Sequence, residues 1–87
     1  MIRDDYPESG MSVGYVLINV EPGSESSVHQ VAADLECVTD ANLLFGDYDL
    51  IVKVEGDNMG DIARSVVGSI RSIPGVVNTK TLACAEI

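Results

Sequence analysis

Eighty-seven residues bound this chain to one domain with a small core. A 46% hydrophobic content without Trp fits a folded protein and excludes intrinsic disorder, and no apolar run exceeds four residues, far short of a membrane span. The net charge of −9, with five scattered basic residues, argues against a phosphate-binding face for DNA or RNA; an acidic surface serves solubility first.

Residues 1–12 carry Asp, Glu, Ser, Pro and Gly without periodicity and read as a flexible N-terminal tail. They hold no apolar stretch of the signal-peptide kind, so a cytoplasmic location is expected, and Met11 is the more natural start. Residues 13–87 form the domain. Two lysines against eight aspartates is also a balance suited to a high-salt cytoplasm.

Val13 to Glu21 alternates as a strand, with Tyr15, Leu17 and Asn19 on one face and Val16, Ile18 and Val20 on the other. Pro22-Gly23 stops it, and Gly23 or Ser24 caps a helix whose buried stripe is Val28, Val31, Ala32 and Leu35. Glu36 to Phe45 is a less regular second strand. Gly46-Asp47 predicts a tight two-residue hairpin into a third strand, Tyr48 to Glu55, with Leu50, Val52 and Val54 on one face. Met59, Ile62, Ala63, Val66, Val67 and Ile70 give the strongest helical period, capped from Gly56-Asp57-Asn58 and ended before Pro74-Gly75. Val76 to Glu86 is the fourth strand.

The order strand–helix–strand–strand–helix–strand predicts an α+β, ferredoxin-like βαββαβ sandwich. Its four-stranded antiparallel sheet has the spatial order 4-1-3-2 and two helices on one face. The other face, with Tyr15, Leu17 and Ile51, is bare in a monomer. Burying apolar sheet surface yields about 25 cal/mol per Å², so a dimer through that face is expected.

Cys37 and Cys84 fall on opposite edges of this sheet, roughly 14 Å apart, too far for a disulfide. Buried free thiols are expected. The loop Pro22-Gly23-Ser24 has no Cys, so no metal is expected, and nothing in the chain calls for a cofactor. His29, the single His, stands on a helix without an adjacent nucleophile, and no nucleophile–base–orienter set is legible, so the chain reads as a non-enzyme.

Gly46-Asp47-Tyr48-Asp49 is the unusual segment. Gly and Asp make the turn, but Asp49 opens an apolar strand where aspartate is disfavoured. A carboxylate there suits an ammonium group, and turn N–H groups suit a carboxylate, the two halves of an α-amino acid. A plain connecting turn is the competing account, and the residues alone leave both open.

Gly46-Asp47-Tyr48-Asp49-Leu50 with Val52 and Val54, then Ile70-Arg71-Ser72-Ile73-Pro74-Gly75-Val76-Val77, then Thr79 and Thr81, resembles the effector (RAM) domain of Lrp/AsnC transcription regulators. Tyr15 to Val20 with Pro22-Gly23 matches it too, so the resemblance covers residues 13–86. It implies dimers joined through their sheets, assembly into rings such as octamers, and an amino acid or related effector bound between dimers. Ligand-binding residues carried over are Gly46, Asp47, Tyr48, Asp49, Pro74, Gly75, Val76, Thr79 and Thr81. It also implies a stand-alone member without its own DNA-binding module, able to tune full-length relatives. The alternatives are a small dimeric enzyme of the monooxygenase-like α+β barrel type, and a pure assembly adaptor with no ligand.

Overall fold

The computed structural model describes residues 12–84, apart from the side chain of Val67. The elements follow the expected order: β1 (Ser12–Val20), α1 (Glu25–Ala33), β2 (Val38–Leu43), β3 (Leu50–Gly56), α2 (Met59–Ser65) running into a π-helical turn (Val66–Ile70), and β4 (Val76–Ala83). The strands form one antiparallel sheet in the order β2-β3-β1-β4. This is the expected ferredoxin-like arrangement. The expected tail, apart from Ser12, and the end of the fourth strand beyond Cys84 lie outside the described residues. Among the described residues no helix is long and apolar enough to cross a membrane.

The period-two pattern places the core. Val16, Ile18 and Val20 of β1 and Leu50, Val52 and Val54 of β3 are buried, and Val28, Ala32, Ile62, Val66, Ile70 and Ile73 pack on them. Both helical segments therefore cover the same sheet face. Burying each of these Val, Leu and Ile side chains contributes about 1.5–3 kcal/mol. Tyr15, Leu17 and Ile51 lie half-buried on the opposite face.

Several local expectations are corrected. Val31 is 45% exposed rather than part of the α1 stripe. Val28 and Ala32 face the sheet, and Val31 stands about 60° around the helix from Val28, on its flank. Ala63 of α2 is exposed for a similar reason, leaving Ile62 and Val66 to make the contact. Asn58 caps α2 as expected, its Oδ1 accepting the N–H of Asp61 at 2.9 Å. Ser24 precedes α1 without a side-chain capping bond, and the Glu25 carboxylate instead accepts the Gly23 N–H at 3.0 Å.

The second hairpin is looser than a two-residue turn. The last β2–β3 pair is Leu43 with Leu50, so residues 44–49 form the loop. Asp49 explains this. Its N–H donates to the Ile18 carbonyl at 2.9 Å and its carbonyl accepts the Leu44 N–H at 2.8 Å, so it is tied to β1 and to the residue just after β2 before β3 begins. Both cysteines are free, as expected, but neither is buried: Cys37, just before β2, is half-buried, and Cys84, just past the end of edge strand β4, is exposed.

Candidate functional site

Three turns gather at one end of the sheet: residues 44–49 before β3, Pro22-Gly23-Ser24 after β1, and Pro74-Gly75 before β4. The end of β1 lies between the other two and organises both.

On the β3 side, Asp49 Oδ2 accepts the backbone N–H of Val20 at 2.8 Å. The carboxylate thus extends the β1–β3 ladder by one bond where β3 has no residue left to pair. This is why an aspartate is tolerated at the mouth of an apolar strand. The Asn19 amide donates to the Asp47 carbonyl at 2.8 Å, and Asn78 Nδ2 stands 3.4 Å from Asn19 Oδ1. A polar line therefore runs from β4 across β1 to the hairpin. Gly46 has φ +133°, so the bend at the loop tip needs a glycine. Asp47 and Phe45 are exposed, Phe45 completely, while Tyr48 and Asp49 are half-buried.

On the β4 side, the Glu21 N–H donates to the Gly75 carbonyl at 2.8 Å. Gly75 has φ +101°, and a Cβ there would stand 2.8 Å from Ser24 Cβ. The Pro74-Gly75-Val76 turn is thus pressed against the start of α1. It and the hairpin flank β1 on opposite sides, two strand spacings or roughly 10 Å apart.

Thr79 and Thr81 stand apart from this end. They pair with Ile18 and Val16, which places both on the helix side of edge strand β4. Within one chain they do not meet the hairpin. The single histidine is engaged elsewhere, His29 Nε2 lying 3.0 Å from the Ala41 carbonyl. Sequence reasoning missed Asn19 and Phe45. A polar residue ending an apolar strand face, and an aromatic just before a turn glycine, were the available signals.

A family model described as the Lrp/AsnC ligand binding domain matches residues 13–86. The chain belongs to that family. An uncharacterised HTH-type transcriptional regulator of Pyrococcus abyssi is 29% identical over 85 residues, covering 93% of this chain and 57% of the relative. The chain thus spans little more than half the length of the curated relatives it matches. The crystal structure of a hypothetical protein from Pyrococcus horikoshii is 29% identical with a TM-score of 0.79, covering 87% of this chain and 92% of that one. A third similar protein is a Neisseria meningitidis transcriptional regulator solved as a complex with L-Met. At 12% identity and a TM-score of 0.75, over 86% of this chain and 50% of that one, it shares the fold alone.

Proposed function

We propose that this Lrp/AsnC-type domain is a regulatory module that pairs through its open sheet face and binds an amino acid, or a similar small effector, where the hairpins of neighbouring dimers meet. The observation that carries the reading is the anchored hairpin. Asp49 Oδ2 and the Asp47 carbonyl are tied to β1, which leaves Asp49 Oδ1 and the exposed Asp47 carboxylate on a loop held in one place. A fixed carboxylate is suited to an ammonium group, because little ordering remains to oppose binding. Family membership and the L-Met complex of the Neisseria regulator support the choice of ligand class. Gly46 and Tyr48 shape the same wall. Pro74, Gly75, Val76, Thr79 and Thr81 belong to the site through a neighbouring copy, since within one chain they flank the other side of β1 or lie on β4.

The open face supports the pairing. Leu17 stands beside Ile51 on β3, and Tyr15 beside Leu82 on β4, an apolar patch bordered by Lys53, Lys80 and Glu55. DNA contact belongs, in this reading, to full-length relatives that such a module tunes.

A thermal-shift screen of the twenty amino acids tests the proposal. Ligand at one hundred times Kd stabilises by about 2.7 kcal/mol, or about 10–20 °C in a domain this small. Asp49→Asn, whose amide oxygen still accepts the Val20 N–H, removes the shift if the charge receives the ligand. No shift with any amino acid at millimolar concentration defeats the reading and leaves an assembly adaptor in its place.

A further inference from the structure

The hairpin loop is tied down at its base and at one further point. At the base, the Leu44 N–H donates to the Asp49 carbonyl at 2.8 Å, and Asp49 bonds in turn to Ile18 and Val20. Among the described residues, residues 45–48 between them take part in a single hydrogen bond, from Asn19 Nδ2 to the Asp47 carbonyl at 2.8 Å. Phe45, Gly46 and Asp47 are exposed, so packing does little to hold them, and Gly46 has the freest backbone. One side-chain amide therefore decides how the middle of the loop is turned.

The direction of that bond is fixed by its partners. A carbonyl oxygen only accepts, so Asn19 must present Nδ2 to Asp47. Its oxygen then faces β4, where Asn78 stands opposite in the β1–β4 register and brings Nδ2 to 3.4 Å. The donors run one way, from Asn78 to Asn19 to Asp47. The last bond also orients a peptide unit. The Asp47 C=O and the Tyr48 N–H share one trans peptide and point in opposite directions. With the carbonyl drawn to β1, the Tyr48 N–H is turned away from it, and among the described residues it has no partner.

We infer that Asn19 is a positioning residue for the effector site and that Asn78 fixes its orientation. The amide pair holds the Asp47–Tyr48 peptide so that the Tyr48 N–H stays free for a carboxylate. What the loop is held for rests on the effector reading; how it is held is a property of the free chain. Neither asparagine touches the effector. They remove in advance the freedom that binding would otherwise have to remove.

Substitutions at Asn78 separate positioning from a general loss of structure. Asn78→Ala removes the donor and leaves Asn19 free to keep its bond to Asp47. Asn78→Asp puts a group there that only accepts. The Asn19 amide then turns its nitrogen toward β4 and its oxygen toward the Asp47 carbonyl, so the bond is lost with Asn19 and the hairpin unaltered. Asn19→Asp loses it directly. Lys80→Gln, on the same strand, changes the net charge as Asn78→Asp does and is the control.

NMR relaxation of the backbone amides in the ligand-free chain reads the positioning. Order parameters of residues 46–48 are about 0.85 in the wild type, Asn78→Ala and Lys80→Gln, and fall below about 0.6 in Asn78→Asp and Asn19→Asp. Titration with the twenty amino acids reads the consequence. Any that shifts the wild-type thermal midpoint binds on the order of 10-fold more weakly to Asn78→Asp and Asn19→Asp, and as tightly as wild type to the other two. Loop order that is the same in Asn78→Ala and Asn78→Asp overturns the inference, as does undiminished binding to Asn78→Asp. A wild type that binds no amino acid defeats the effector reading instead, and the order parameters still decide the positioning. Should Asn19→Asp not fold, the two Asn78 variants decide alone.

Discussion

The Asp49 carboxylate accepts the Val20 N–H at 2.8 Å across the end of the sheet, while its own N–H donates to Ile18 at 2.9 Å. One residue thus closes two bonds of the β1–β3 junction. Asp49→Ala leaves a half-buried N–H without a partner and destabilises by about 1–3 kcal/mol, read by urea unfolding at fixed protein concentration. Asp49→Asn retains the acceptor and loses less than half as much. Equal losses in the two variants would show that charge, not the hydrogen bond, holds the junction.

Gly75 and Gly46 separate backbone strain from crowding. Both have positive φ, but a Cβ at Gly75 meets Ser24 and Val28, whereas one at Gly46 meets nothing within 4 Å. Gly46→Ala costs about 1–3 kcal/mol, the strain alone. Gly75→Ala costs more, by about another 1–3 kcal/mol for overpacking. Denaturant midpoints of the two variants check the order.

The two helix starts differ in what their caps do. Asn58→Ala removes the acceptor for the Asp61 N–H and costs about 1 kcal/mol. Ser24 makes no side-chain capping bond, so Ser24→Ala changes the thermal midpoint by much less.

Gly68 lies in the π-helical turn, in which the Arg71 N–H reaches back to the Val66 carbonyl at 3.0 Å. A Cβ at Gly68 meets no atom within 4 Å. Gly68→Ala therefore raises stability by about 0.5–1 kcal/mol through helix propensity. A loss of stability would show that the turn depends on glycine's backbone freedom.

Some of the hairpin was legible in the sequence and some was not. Gly46 announced a bend and Asp49 an anomaly, since aspartate rarely opens an apolar strand. The bond that explains the anomaly goes to Val20, twenty-nine positions away, and no local pattern encodes such a partner. The two-residue turn failed for the same reason: local turn chemistry favoured it, but pairing of Asp49 with β1 and Leu44 set the loop at residues 44–49.

By itself, the sequence determined the element order, the strand order β2-β3-β1-β4 and the buried face of Val16, Ile18, Leu50 and Val52. Those follow from alternation and helical period, which act over a few neighbouring residues, together with the handedness of crossovers. Its motifs also placed the chain in its family. The tertiary structure alone decided that Val31 is a flank residue, that Asn19 bridges Asn78 and the Asp47 carbonyl, and that His29 of α1 reaches the Ala41 carbonyl of β2. Each of these depends on which distant segment lies alongside, and that is fixed only when the whole sheet is assembled.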